Sequence, residues 1–327
     1  MFTYVIRRLL SMIPMLLVIS FVSFAIIELP EGDYMTTLQA VQGTSGGGMS
    51  NETAQLLRER YGLNQPFLIR YVKWIQGFPV GDFGYSFEWS TGVWALIGDR
   101  IMYTILLGTA SIVIMVLIAI PIGVYSATHR YSLGDVVFSA IAFLGLSIPG
   151  FLLGLLWIYF GGIVLGLNVL GAQSPEFANA PMSAAKAWDF FLHIWPPAII
   201  LGLASTAQLM RIMRNGMLDT LNQQFVTTAR AKGLTEKRVI NKYVARSALN
   251  PVVSVVALEV PKIISSSILI GVVLSVPTTG PLFLRALQSQ DMYVAGTFLM
   301  LMSLMLLFSN LIADIILAWL DPRITYT

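Results

Sequence analysis

Cysteine is absent from the 327 residues, which removes disulfides, zinc clusters, iron–sulfur sites and thiol nucleophiles together. Histidine is nearly absent: only His129 and His193 occur. They fall in segments expected on opposite faces, too far apart to share a metal or a histidine-dependent triad. Charge is scarce too, at 11% Asp, Glu, Lys and Arg against 56% hydrophobic residues. Soluble chains carry about 25% charge, so soluble enzymes, disordered regulators and nucleic-acid binders are excluded. No Gly-rich loop ends in Gly-Lys-Ser or Gly-Lys-Thr, so the chain has no cradle for a nucleotide phosphate. Gly43-Thr44-Ser45-Gly46-Gly47 has the spacing of a nucleophile elbow but not its strand-turn-helix context, and it reads as a flexible loop within the Gly/Ser-rich tract 42–48.

Long apolar runs supply what the composition otherwise lacks. With a mean hydropathy of +0.75, the chain reads as an all-α polytopic membrane protein, a single domain over 1–327. About 20 apolar residues cross a bilayer as a helix. Six transmembrane helices are expected, at 9–28, 104–127, 136–166, 191–210, 252–276 and 293–319. The third stretch is long for one upright span and is read as a tilted helix disturbed near Pro149. With the N-terminus in the cytoplasm, twelve of the twenty basic residues lie inside, whereas the short outer loops hold only Lys186 and Arg285. The positive-inside rule therefore places both termini in the cytoplasm.

Two extramembrane segments are large enough to have functions. In the outer one, 29–103, Asn51 is expected to cap a helix running to Arg60, Gly62 to stop it, and Pro66 to start another carrying Tyr71 and Trp74. These elements suggest a small ordered cap. The inner segment, 211–250, holds eight of the twenty basic residues. Within it, Thr227 to Lys232 reads as a short helix whose Ala229 and Ala231 let another backbone approach, with Gly233 as a left-handed cap. Thr235 is then placed to cap a second helix reaching about Leu249, before Pro251. A short, small-faced, basic helix is shaped for a groove in another protein; an ordinary basic loop that only fixes topology is the plainer alternative.

Thr228-Ala229-Arg230-Ala231-Lys232-Gly233-Leu234, with Arg211 and Arg214 upstream and Arg246-Ser247-Ala248-Leu249-Asn250-Pro251 downstream, resembles the cytoplasmic coupling loop of binding-protein-dependent ABC importer permeases. Within these the likeness is to the dipeptide/oligopeptide/nickel permease family, and it extends along nearly the whole chain. Asn64-Gln65-Pro66, Tyr71, Trp74 and Gly81-Asp82-Phe83-Gly84-Tyr85-Ser86 look like that family's first outer loop. Ser147-Ile148-Pro149-Gly150-Phe151 resembles its third-helix motif, and Leu320-Asp321-Pro322-Arg323 its ending. The chain departs from the broad importer pattern at Thr227-Thr228-Ala229, where Glu-Ala-Ala is usual. It departs again at Tyr243, at Gly271 and at Pro277-Thr278-Thr279-Gly280. These departures leave the coupling role in place and the substrate open between peptide, oligosaccharide and other solutes.

The resemblance implies the type I ABC importer permease fold and a place in the inner (plasma) membrane of a bacterium or archaeon. It makes Thr227, Thr228, Ala229, Arg230, Ala231, Lys232, Gly233 and Leu234 the ATPase-coupling segment. It also implies a homologous second permease, two cytoplasmic ATPase subunits and an extracytoplasmic solute-binding protein as partners, besides membrane lipid and without nucleic acid. ATP and Mg would be held by the ATPase subunits, with no cofactor on this chain and no enzymatic activity of its own. Tyr71, Trp74 and Asp82 are candidates for the binding-protein dock. Glu259 and Lys262 lie in the fifth stretch, where an unpaired mid-bilayer charge costs about 2.5–3.5 kcal/mol, so they are expected to pair or to meet water. With Ser265, Ser266 and Ser147 they form the candidate translocation path. A self-sufficient secondary transporter or channel is the alternative from another class, and it would want inverted repeats or broken midplane helices.

Overall fold

The apolar runs fold into helices, and the elements between them are helical too, apart from one short β-ribbon. The computed structural model describes residues 2–30, 32–44 and 50–320. Helix α1 (Phe2–Glu28) is followed by three short helices, α2 (Tyr34–Thr44), α3 (Asn51–Tyr61) and α4 (Phe67–Gly77). A two-residue antiparallel ribbon, β1 (Tyr85–Ser86) with β2 (Thr91–Gly92), leads into α5 (Val93–Thr128). Then come α6 (Leu133–Ser147), α7 (Gly150–Trp157) with a π-helical continuation Ile158–Val164, and α8 (Ala184–Leu221). The chain continues through α9 (Gln224–Ala231), α10 (Glu236–Arg238), a π segment Val239–Val244, α11 (Ala245–Val273), α12 (Thr279–Gln288) and α13 (Met292–Leu320).

Among the described residues five helices are long and apolar enough to span a membrane: Tyr4–Glu28, Val93–Thr128, Ala184–Leu221, Glu236–Val273 and Met292–Trp319. The third apolar stretch departs from the single tilted helix that its length suggests. It is a helix pair, Leu133–Ser147 and Gly150–Val164, bent by 97°. Proline drives the residue before it out of the α region, and Ile148 sits at φ −93° and ψ 122°. Pro149 then stands as N-cap of α7. By contrast Pro14, Pro121, Pro196, Pro197, Pro251 and Pro261 all lie inside continuous helices. The inner helix expected to end before Pro251 therefore runs on into the fifth span.

The chain divides into two compact units. One comprises Arg7–Thr104 and Thr278–Leu304. Its core joins Phe24 of α1, Met35 of α2, Trp74 of α4, Phe87 beyond β1 and Met292 of α13. Two ion pairs tie the short helices down: Arg70 to Glu28 at 2.5 Å and Arg58 to Asp33 at 2.7 Å. Helix α3 is capped by Ser50, whose hydroxyl accepts from the Thr53 N–H, and not by Asn51 as the sequence suggests. Gly62 ends it at φ +68°. Helix α2 has no counterpart in the sequence reading; Asp33 starts it by accepting from the Thr36 N–H at 2.8 Å. Residues 45–48 of the Gly/Ser-rich tract, and Asp321-Pro322-Arg323 of the ending motif, lie outside the described residues.

The other unit comprises Met1–Ile6, Ile105–Pro277 and Met305–Thr327. Helices α6, α7 and α11 pack on α8. Small residues set the approach: a Cβ at Gly154 would stand 3.2 Å from Val273, and one at Gly202 would stand 3.0 Å from the Ser111 carbonyl. Asp314, on the face it shares with Asn310, accepts a hydrogen bond from the Tyr4 hydroxyl at 2.6 Å, which joins α13 to the start of α1.

Candidate functional site

Helix α9 carries the segment singled out by its sequence, and its faces differ sharply. Val226 and Ala229 are buried in a cluster with Met213 and Met217 of α8, Val239 and Val244 of the π segment, and Ala248 and Val252 of α11. Full burial of a valine side chain is worth about 1.5 kcal/mol or more, so this eight-residue helix is held as part of the span-bearing body. Thr227, Thr228, Arg230, Ala231 and Lys232 are exposed, and so is Phe225 at 44%. Ala229 thus packs inward against its own chain, which corrects the expectation that it faces a partner. Ala231 and the two threonines supply the open small-residue surface.

The end of α9 follows the expected chemistry. Gly233 takes φ +75°, its N–H donates to the Arg230 carbonyl at 2.9 Å, and the Leu234 N–H reaches back to the Ala229 carbonyl at 3.4 Å. This is the six-to-one and five-to-two pattern that satisfies the last carbonyls of a helix. Leu234 packs on the same cluster as Val226. Arg230 pairs with Glu236 at 2.6 Å across the turn, with both side chains about half exposed. Thr235 stands as N-cap of α10 without a side-chain hydrogen bond.

In α11, Lys262 Nζ lies 2.7 Å from Glu259 Oε1. The other carboxylate oxygen accepts from Ser205 of α8 at 2.6 Å, a partner that no local sequence pattern indicates. The Glu259 side chain is 2% exposed and that of Lys262 59%. Ser254, Leu258, Lys262, Ser265, Ser266 and Leu269 are all exposed and recur at helical spacing, so α11 presents one unpacked stripe with a polar middle. Ser267 is buried and donates to the Ile264 carbonyl. Ser147 is exposed at the end of α6, where its hydroxyl donates to the Phe143 carbonyl at 2.8 Å, and its recorded hydrogen bonding is internal to that helix.

The three dock candidates separate. Trp74 is 3% exposed and stacks on Phe24 at 5.2 Å. Tyr71 is half-buried, with its hydroxyl 2.8 Å from that of Ser20. Both hold the unit together; Trp74, fully packed away, offers no docking surface, which corrects the sequence reading for that residue. Asp82 is exposed, and its carboxylate also accepts from the Gly84 N–H at 3.0 Å. Gly84, at φ +92°, lies against the Tyr293 ring, so a side chain there would be both strained and crowded. The loop that follows is fastened by Asp291, which is fully buried, accepts from the Ser86 hydroxyl at 2.5 Å and from the Glu88 N–H at 3.2 Å. Burial pushes the Asp291 carboxyl up, and the hydrogen bonds from Ser86 and the Glu88 backbone only partly offset it.

Residues 119–326 match the family described as binding-protein-dependent transport system inner membrane component. Residues 1–108 match the N-terminal model of the same class of membrane component. The chain belongs to this family. The permease is 36% identical over its full length to the oligopeptide transport system permease protein AppB of Bacillus subtilis, all of which is covered. It is 30% identical to the dipeptide transport system permease protein DppB of Escherichia coli K12, covering 99% of it. It is also 30% identical to the glutathione transport system permease protein GsiC of the same strain, covering all of it. Among solved structures, the inward-facing MetNI methionine ABC transporter matches 69% of this chain and 96% of its own, with a TM-score of 0.51 at 16% identity. That likeness concerns the fold, the type I ABC importer permease architecture. The permease is a multi-pass protein of the inner membrane.

Proposed function

We propose that this permease forms half of the translocation path of an ATP-driven peptide importer. It pairs with a homologous second permease and takes its driving force from two cytoplasmic ATPase subunits that hold ATP and Mg. Peptide arrives on an extracytoplasmic solute-binding protein that docks on the exposed side of the Asp82 loop. The observation that carries this reading is α9. Two buried side chains fix it to the helices that span the membrane, while Thr227, Thr228, Ala231 and Lys232 stay open for a groove on another chain.

ATP closes the ATPase pair, the grooves holding the two coupling helices move together, and the helix bundles turn outward; hydrolysis resets them. The exposed stripe of α11, with Lys262, Ser265 and Ser266, faces the solute. A peptide suits it better than a bare metal ion, because no group of three or more His, Cys, Asp or Glu among the described residues could hold one. The names of the full-length relatives favour peptide over oligosaccharide.

The test is reconstitution with the partner subunits and binding protein, measuring ATP-dependent uptake of labelled di- and oligopeptides. A Thr228→Cys variant should cross-link to an ATPase subunit. Uptake by the chain alone, driven by an ion gradient, would replace this reading with the self-sufficient transporter.

A further inference from the structure

Helices α6 and α8 touch at two places and part between them. At one end Arg214 meets Asp135 at 3.1 Å. Ten residues further along α6, about 15 Å at 1.5 Å per residue, Gly145 closes on Leu203. A Cβ at Gly145 would stand 2.9 Å from the Leu203 side chain. Residue numbers rise along one helix and fall along the other between these contacts, so the two run antiparallel. Between them lies a cavity of about 280 Å³.

Its lining is graded. Ser139 of α6 and Arg211, Arg214 and Asn215 of α8 line the part nearer the ion pair, while Ala142, Leu146 and Ala207 line the part nearer Gly145. The polar end carries unmatched positive charge. Asp135 neutralises Arg214. Arg211 has no carboxylate partner among the described residues, and its guanidinium lies over the Phe143 ring at 5.0 Å. The Nε–H of Arg214 is buried without an acceptor. A buried donor left unpaired costs about 1–3 kcal/mol, and a cation at the edge of a bilayer calls for a counter-charge. Around the cavity α6 exposes Val136, Val137, Ile141 and Leu144, each more than half accessible, so its outer wall is a surface that hydrocarbon wets.

We infer that this groove binds an anionic phospholipid, with the phosphate on the Arg211 guanidinium and the Asn215 amide and the first part of an acyl chain along Ala142, Leu146 and Ala207. Guanidinium matches phosphate oxygens in a planar two-bond fork. Basic recesses between spanning helices select charged headgroups in this way. A free inorganic phosphate would leave the apolar half empty. The leaflet, cytoplasmic, follows from the proposed orientation; the binding itself does not depend on that orientation or on the cargo.

The experiment uses the purified importer complex, exchanged from phosphatidylglycerol-containing into phosphatidylcholine nanodiscs, with retained lipid measured by native mass spectrometry. Wild type should keep phosphatidylglycerol. Arg211→Gln should retain it about tenfold less, and Arg211→Lys should fall between. Arg7→Gln should change nothing. The melting temperature of Arg211→Gln in pure phosphatidylcholine, unchanged from wild type in the same lipid, separates lost lipid from lost fold. Inorganic phosphate at millimolar concentration should not displace the lipid. Equal retention by wild type and Arg211→Gln would overturn the inference. So would displacement by phosphate alone, or a Ser139→Cys cross-link to the second permease showing that protein fills the groove.

Discussion

Lys262 turns back along α11 to reach Glu259 at 2.7 Å, and the bond joins a buried carboxylate to an ammonium on the exposed stripe. One end of the pair is anchored by Ser205 and the other stands on the exposed face of the helix. Lys262→Met strands the carboxylate and should cost about 3 kcal/mol, read as a lower melting temperature. The double variant Glu259→Gln/Lys262→Met should recover to within about 1 kcal/mol of wild type, because removing both charges removes the desolvation with the attraction. Uptake by the double variant should nonetheless fall or change its peptide preference. Wild-type uptake at wild-type stability would make the pair structural.

Gly233→Val isolates backbone from packing, since a Cβ there meets nothing within 4 Å. The cost comes from φ +75° alone, about 1–2 kcal/mol for a bulky residue. The assembled complex should keep hydrolysing ATP while moving less peptide per ATP. Gly233→Asn, which tolerates the left-handed region, should be milder. An unchanged ratio in the valine variant would separate this turn from coupling.

Val80 is 82% exposed and Lys232 is exposed beside α9. The absence of cysteine makes each replacement a single label. In intact cells an impermeant maleimide should modify Val80→Cys and reach Lys232→Cys only after the membrane is opened. The reverse pattern would invert the proposed topology.

Asp291→Ala leaves the fully buried Ser86 hydroxyl and the Glu88 N–H without their acceptor. The expected loss is about 2–4 kcal/mol, seen as faster proteolysis between Tyr85 and Thr91. Cleavage at the wild-type rate would show that the loop does not need this fastening.

Burial pushes the Asp33 carboxyl up, but hydrogen bonds from Arg58 and Thr36 outweigh it and hold the group at about 2, below the ordinary 3.8. Its contribution is therefore complete above about pH 4 and is lost as pH falls through 2. The side chain is partly exposed, so Asp33→Asn should cost only about 1 kcal/mol at neutral pH. The difference between variant and wild type should shrink in acid. A constant difference from pH 7 to pH 2.5 would locate the effect elsewhere than in this pair.

What was legible in the sequence had a local cause. Apolar length marks a span, Gly233 needs only its own φ, and Pro66 fixes the start of α4. The tryptophan in α4 was misread because an aromatic in an extramembrane segment looks the same whether it faces a partner or Phe24 of α1, fifty residues away. Ser205 and Glu259 meet across 54 residues, and Ser86 and Asp291 across 205, with no periodic pattern linking either pair. Ala229 looked like an open surface because small residues serve both for close packing inside and for close approach outside. The bend at Ile148 did carry a local signal in Pro149, but six other prolines sit in unbroken helices, so proline alone does not set the angle.

Pro251 fails to interrupt the chain between Glu236 and Val273, and this continuity has a mechanical consequence. From Glu236 to Lys262 is 26 residues, about 39 Å of helix with a rise of 1.5 Å each. No loop lies along that length to absorb a push as slack. In the proposed importer, torque applied at the Arg230–Glu236 corner would reach the Lys262 stripe as rotation of a single shaft. In that movement the pivot would be the close-packed seam where Gly216 of α8 lets Ala248 come close, a Cβ at Gly216 standing 3.3 Å from the Ala248 carbonyl. Widening that seam with a larger side chain would shift the fulcrum and leave both ends of the shaft chemically intact.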